Sequence, residues 1–129
     1  MVDISAKAIL VVDDSSTMRR IVINTLGRCG FKNMAEAGNG VEALAKCKTQ
    51  QFDVILTDWN MPEMDGLTFA IELRKMPNYV AVPIMMVTTE GGKKDIIDAL
   101  TKGVTSYIVK PFTPDTLKAK MDELMAKCQ

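Results

Sequence analysis

The chain has 129 residues, of which 47% are hydrophobic and 25% charged, as is usual for one globular domain. Sixteen basic and sixteen acidic residues leave no net charge, which argues against nucleic acid as the main partner, because binding to phosphates requires clustered positive charge. The chain has no histidine, so catalytic triads, Cys–His pairs and the usual zinc sites are excluded. Any chemistry must use carboxylates, hydroxyls, lysines or a bound ion.

The cysteines and the first residues bear on the location of the protein. Cys29, Cys47 and Cys128 are widely spaced, which is typical of reduced thiols in a cytoplasm. Residues 1–7 lack a long apolar run, so they predict neither a signal peptide nor a membrane-spanning segment. We expect a cytoplasmic monomer without membrane insertion, with a loose tail over residues 1–7.

Short apolar runs alternate with helix-period segments along the whole chain. The runs, at residues 9–12, 34–37, 54–56, 84–87 and 107–109, predict buried parallel strands. The first helix is expected to bury one stripe, and the last helix another. The first stripe comprises Met18, Ile21, Val22, Thr25, Leu26 and Cys29, and the second comprises Leu117, Met121, Leu124, Met125 and Cys128.

Several residues predict where helices begin and end. Asn39, with Glu42 three residues later, is typical of a helix N-cap. Thr113 before Pro114 predicts a second N-cap, with proline at the first helical position. Two glycines that follow helical stretches are expected at helix C-termini, namely Gly30 and Gly103.

The alternation of strand and helix predicts the fold class. We expect an α/β protein in which residues 1–129 form a single domain, a doubly wound, five-stranded parallel sheet of the flavodoxin-like kind with helices on both faces. In such folds, ligands bind at the carboxyl ends of the strands, where the winding direction reverses.

Polar residues follow four of the five predicted strands at that edge of the sheet. Asp13 and Asp14 follow the first strand, Asp58 the third, Thr88 ends the fourth and Lys110 follows the fifth. Taken singly, they could be helix-capping acids, a turn residue, a β-branched strand residue and a solvated lysine. Their shared position favours a functional site.

The residue types at this edge indicate phosphoryl chemistry. Three crowded carboxylates repel one another and need a hard cation, and Mg²⁺ takes carboxylate, water and phosphate oxygens. A carboxylate can also attack phosphorus and form an aspartyl phosphate. Lys110 would offset the remaining negative charge, and the Thr88 hydroxyl could donate a hydrogen bond.

Four motifs together resemble a known family. The segments VVDDSSTMRR, TDWNMPEMDG, VTTEG and SYIVKPFT, in this order and spacing, are similar to the receiver domains of response regulators. The likeness runs from about residue 8 to the C-terminus and is strongest to chemotaxis members of the family. It implies a two-component signalling protein that is phosphorylated and affects flagellar rotation.

The resemblance implies roles for the residues at the edge. Asp58 is expected to be the phospho-acceptor. Asp14 and Asp58 are expected to bind Mg²⁺ directly, Asp13 through water, and Asn60 through its main-chain carbonyl. Lys110 is expected to contact a phosphoryl oxygen.

The resemblance also implies a switch and an output surface. Thr88 and Tyr107 would form the switch, and the bond between Lys110 and Pro111 would be cis. Asn60 and Glu90 match positions that tune dephosphorylation in this family. The positions that match contacts to the flagellar motor switch protein are Lys93, Ile96, Tyr107 and Lys120, on the fourth helix, fifth strand and fifth helix.

The expected partners are a sensor histidine kinase of the chemotaxis type, the flagellar motor switch protein and a possible phosphatase. Such a protein catalyses its own phosphorylation and dephosphorylation and has no separate substrate. Two alternatives share the chemistry: a phosphorelay shuttle, and a Mg²⁺-dependent phosphohydrolase with an aspartyl intermediate, for which the sequence has no insertion long enough for a cap. A nucleotide binder is disfavoured, because the first strand is followed by DDSSTM rather than a glycine-rich loop.

Overall fold

The structure is a computed structural model that describes residues 6–89 and 93–127, with backbone alone at 93, 94, 126 and 127. Strands and helices alternate along it. The strands are β1 (Ala8–Val12), β2 (Asn33–Ala37), β3 (Val54–Asp58), β4 (Ile84–Thr88) and β5 (Ser106–Val109). The helices are α1 (Ser16–Arg28), α2 (Gly40–Thr49), α3 (Gly66–Arg74), α4 (Lys93–Thr101) and α5 (Pro114–Lys127), with a 3₁₀ turn at Pro77–Tyr79.

The five strands form one parallel sheet in the order β2-β1-β3-β4-β5. The winding reverses after β2, so the connections place helices on both faces, and the predicted doubly wound fold is confirmed. Successive strand residues point to opposite faces. One face packs against α2, α3 and α4 through Leu10, Val12, Ile55, Phe69, Leu73 and Ala99. The other packs against α1 and α5 through Ile9, Val11, Val22, Leu26, Leu56, Leu117 and Leu124.

The predicted helix boundaries are confirmed by hydrogen bonds and backbone angles. The Asn39 side chain accepts from the Glu42 N–H at 2.8 Å. The Thr113 hydroxyl accepts from the Thr116 N–H at 3.1 Å, just before the proline that starts α5. The glycines that follow α1 and α4, Gly30 and Gly103, have φ angles of 102° and 117°, which glycine adopts without a steric penalty.

Three burial predictions are wrong. The run at 107–109 was expected to be buried, but it lies on the edge strand β5, where Val109 is 39% exposed. Ile21 was expected in the core stripe of α1 but is 47% exposed, because it lies at the margin of the stripe centred on Val22 and Leu26. The run at 34–37 was expected to form a buried strand, but β2 is at the edge of the sheet and Ala37 is its one buried residue. Cys128 lies outside the described residues, as does most of the predicted tail.

Over residues 6–89 and 93–127, none of the helices combines the length and the apolar character needed to cross a membrane.

Two glycines in helices should respond oppositely to alanine. A Cβ at Gly27 would meet nothing within 4 Å, so Gly27→Ala should stabilise the protein by about 0.4–1 kcal/mol. A Cβ at Gly66 would lie 2.0 Å from the Asp58 carbonyl oxygen, so Gly66→Ala should destabilise it by about 1–3 kcal/mol or more. Urea unfolding followed by circular dichroism measures both. Equal effects of the two substitutions would contradict the close approach at Gly66.

Candidate functional site

Three aspartates converge at the carboxyl ends of β1 and β3. Asp13 and Asp14 follow β1, and Asp58 is the last residue of β3, which pairs with β1 in the sheet. One carboxylate oxygen from each residue lies within 4.8 Å of those of the other two. The predicted cluster therefore exists, and its oxygen-only donor set suits a hard divalent cation.

The environment of Asp13 fixes its carboxylate. Its Oδ1 accepts from the Ser15 N–H at 2.9 Å, and its Oδ2 lies 3.2 Å from Lys110 Nζ. Arg19 donates from Nη1 to the Asp13 main-chain oxygen at 2.5 Å, and from Nε to Glu36 on β2 at 2.9 Å. Asp13 is therefore buried and tethered, whereas its neighbour Asp14 is exposed at the rim of the site.

Asp58 is 9% exposed and has two fixed contacts through the same oxygen. Its Oδ1 accepts from the Trp59 N–H at 2.8 Å and lies 3.3 Å from Lys110 Nζ. Burial raises the pKa of Asp58 above its ordinary value; the charge of Lys110 opposes this effect, and the charge of Asp13 adds to it. The folded site thus disfavours the ionised form of Asp58, because the nearby cation, Lys110, is shared with Asp13.

The connection from β3 to α3 is held closely against the sheet. The Gly66 N–H donates to the Trp59 oxygen at 2.8 Å, which closes the loop that contains Asn60. The Gly40 N–H at the start of α2 donates to the Met64 oxygen at 3.2 Å. A Cβ at Gly40 would lie 2.7 Å from Met64 Cγ, so glycine is needed for this approach. The loop is therefore fixed at both of its ends.

Sequence reasoning missed the residues that hold the site from outside. Arg19 is one of two adjacent arginines on α1, and nothing in the sequence distinguishes it from a solvated one. Gly66 lies under the Asp58 carbonyl, and its signal was the Asp-Gly pair that starts α3. The Thr57 hydroxyl, fully buried, donates to the Asp58 main-chain oxygen at 3.0 Å.

The strands β4 and β5 bring further predicted residues to the same edge. Thr88, 1% exposed, ends β4, and its main-chain oxygen accepts from the Lys110 N–H at 2.8 Å. The bond between Lys110 and Pro111 is cis, as predicted. Asn60 is exposed in the loop after β3.

The residues predicted for the output surface lie on α4, β5 and α5. Ile96 and Tyr107 are half-buried, and Lys120 Nζ lies 4.8 Å from the centre of the Tyr107 ring. The Lys93 backbone starts α4, but its side chain lies outside the described part of the chain, as does Glu90.

Asp58→Asn should stabilise the protein when no metal is present. The substitution removes a desolvated charge from beside Asp13 and Asp14, and we expect a higher free energy of unfolding near neutral pH in a chelating buffer. Asp14→Asn is the matched control and should have a smaller effect, because Asp14 is exposed. Urea unfolding measures both variants. A less stable Asp58→Asn protein would mean that attraction to Lys110 outweighs burial and repulsion.

Comparison with known proteins agrees with this geometry. The family model described as the response regulator receiver domain matches residues 9–122. The chain is 52% identical to chemotaxis protein CheY1 of Helicobacter pylori, over 91% of this chain and 95% of that protein. It is 53% identical to a chemotaxis protein CheY homolog of Campylobacter jejuni, over 91% of each.

Solved structures have the same fold. Chemotaxis protein CheY4 of Vibrio cholerae has a TM-score of 0.86 at 39% identity, over 92% of this chain and 99% of that one. The receiver domain of a sensor histidine kinase from Pseudomonas aeruginosa has a TM-score of 0.84 at 26% identity, over 93% and 98%, and its structure contains a magnesium ion in the active site cleft. The chain therefore belongs to the response regulator receiver domain family and is a receiver of the chemotaxis type.

Proposed function

We propose that this receiver signals by accepting a phosphoryl group on Asp58, in a reaction that requires Mg²⁺. The observation that carries the proposal is a cluster of three carboxylates, two of which share one lysine. Lys110 Nζ lies 3.2 Å from Asp13 and 3.3 Å from Asp58 at the carboxyl ends of the strands. Such an arrangement supplies a nucleophile, ligands for a cation and a positive charge within one small volume.

Mg²⁺ would be held by Asp14 and Asp58 directly, by Asp13 through water, and by the main-chain carbonyl of Asn60. The carboxylate oxygens within 4.8 Å of one another support this assignment, as does the magnesium-containing cleft of the Pseudomonas receiver. When bound, the ion would neutralise carboxylate charge and charge on the transferring phosphoryl oxygens. The tethers on Asp13 fix part of this site before any ion binds, which lowers the cost of organising it.

In the transfer itself, the Asp58 carboxylate would attack the phosphorus of a phosphohistidine. A new O–P bond forms, the P–N bond breaks, and the imidazole leaves with the electron pair. The Trp59 N–H holds Asp58 Oδ1 at 2.8 Å, so the carboxylate keeps one orientation. Lys110 would contact a phosphoryl oxygen, and the Thr88 hydroxyl would donate a hydrogen bond to the group once it is attached.

Loss of the phosphoryl group would be catalysed by the protein itself, with Asn60 and Glu90 as the residues that tune its rate. Water would attack phosphorus and release inorganic phosphate, which restores the Asp58 carboxylate. The protein then has no separate substrate. The exposure of Asn60, two residues after Asp58 in the chain, supports a role in contact with the attacking water.

The partners we propose are a sensor histidine kinase of the chemotaxis type, the flagellar motor switch protein and a phosphatase. The output surface would comprise Lys93, Ile96, Tyr107 and Lys120, and Thr88 with Tyr107 would be the switch. Tight binding of a motor-switch peptide by the phosphorylated form alone would distinguish this function from a phosphorelay shuttle. Cytoplasmic location, the monomeric state and a single domain over residues 1–129 stay predictions.

Mg²⁺ should stabilise the folded protein through this cluster. At a concentration one hundred times its dissociation constant, a ligand of the native state adds about 2.7 kcal/mol to the free energy of unfolding. We expect Asp14→Asn to remove most of this gain. The matched control is Asp122→Asn, which removes an exposed aspartate paired with Lys118 on α5 and should leave the gain intact. Thermal or urea unfolding with and without Mg²⁺ provides the measurement, and equal gains in both variants would exclude Asp14 as a ligand.

The central test is the intact mass after incubation with a small-molecule phosphodonor. We expect one added phosphoryl group with Mg²⁺, none without it, and none in Asp58→Asn. The proposed function would be contradicted if the wild-type protein gained no mass and its Trp59 fluorescence did not change on addition of beryllofluoride.

A further inference from the structure

Tyr107 lies on β5, the strand at one edge of the sheet, opposite Met86 of β4. Its ring is half-buried and packs on the core face that also contacts α2, α3 and α4. Lys120 is on α5, which packs on the opposite face. Because β5 is hydrogen-bonded to β4 alone in the described part of the chain, the lysine can reach around the strand to the ring.

The contact between these residues is a cation–π interaction. Lys120 Nζ lies 4.8 Å from the ring centroid, within the distance of about 6 Å over which the ring quadrupole attracts a cation. Lys118, two residues earlier on the same helix, makes an ion pair instead: its Nζ lies 2.8 Å from the Asp122 carboxylate. The residues four positions from Lys120 in each direction are Thr116 and Leu124, and Glu123, three positions later, is the carboxylate at helical spacing from it.

We infer that Lys120 holds the Tyr107 ring in its half-exposed position, and that the charge at residue 120 sets the balance between this position and a more buried one. The inference rests on the proposed function, in which Tyr107 belongs to the switch. Inward movement of the ring breaks the contact and frees the ammonium group. A carboxylate of a partner that binds this freed group competes with the ring, and by linkage favours the inward position.

The size of the effect follows from the interaction. A cation–π contact at a half-exposed site contributes about 0.5–1 kcal/mol, which converts at RT of about 0.59 kcal/mol to a two- to fivefold change in the ring equilibrium. A shift of this size in the population of the inward state changes the apparent affinity of any ligand that selects that state by the same factor.

The ring position can be measured with fluorine NMR, because the chain has two tyrosines. Incorporation of 3-fluorotyrosine gives one signal from Tyr107 and one from Tyr79, which is fully buried and serves as an internal reference. The difference in shift between H₂O and D₂O reports the exposure of each ring. Lys120→Met keeps the aliphatic stem and removes the charge, Lys120→Arg keeps a cation, and Lys118→Met is the matched control on the same helix.

We expect Lys120→Met to reduce the solvent isotope shift of Tyr107 and to leave Tyr79 unchanged, with wild-type values in Lys120→Arg and Lys118→Met. Beryllofluoride, titrated with Mg²⁺, should bind Lys120→Met two- to fivefold more tightly than wild type, and Lys118→Met with wild-type affinity. An unchanged isotope shift or an unchanged beryllofluoride affinity in Lys120→Met overturns the inference. The NMR arm needs no phosphodonor, so its outcome is separate from failure of the proposed phosphorylation.

Discussion

Electrostatic repulsion among three aspartates is the constraint on which the rest of this structure depends. A parallel sheet brings the carboxyl ends of its strands to one edge, and here that edge holds Asp13, Asp14 and Asp58 within 4.8 Å. One lysine cannot neutralise three carboxylates. The pKa of Asp58 is raised mainly by burial, with the charge of Asp13 adding to this effect and the charge of Lys110 opposing it. The folded protein therefore carries an electrostatic cost that a bound cation would remove, which links stability to occupancy of the site.

The structure around the cluster holds the backbone near the aspartates in place. Each aspartate is attached to a strand end whose own residues are fully buried, and the loop after β3 is closed by glycines that permit contacts of backbone with backbone. Gly66 passes beneath the Asp58 carbonyl, and Gly40 accepts the Met64 side chain where a Cβ would otherwise stand. These contacts hold the backbone at Asp58 and the loop after β3 against the sheet, which limits how far Asp58 can move away from Asp13.

The sequence predicted what depends on local pattern and on the geometry of parallel sheets. Periodicity and spacing account for the alternation of strand and helix, for the helix caps and for the gathering of Asp13, Asp14, Asp58, Thr88 and Lys110 at one edge. The sequence did not specify the order of the strands in the sheet. It did not predict contacts that depend on which element lies beside which. Ile21 was placed in the core, although α1 buries a narrower stripe than its apolar residues suggest. Nothing in the sequence pattern singled out Arg74. Its guanidinium nevertheless donates hydrogen bonds to the main-chain oxygens of Tyr79, Val82 and Gly103 and to the Thr105 hydroxyl. Burial lowers the pKa of Arg74.

The arrangement of β5 explains how events at the acidic edge can reach the surface over a short distance. Lys110, which contacts Asp13 and Asp58, is three residues from Tyr107 along the chain, and its N–H is bonded to Thr88 at the end of β4. Under the proposed function, a change in the charge that Lys110 faces would act on β5, an edge strand that is hydrogen-bonded to β4 alone in the described sheet. Tyr107 is half-buried on that strand and is touched from the far face by Lys120. A ring held by so weak a contact can respond to small changes in strand position, whereas a fully buried ring such as Tyr79, bonded through its hydroxyl to Phe52 and Gln50, cannot.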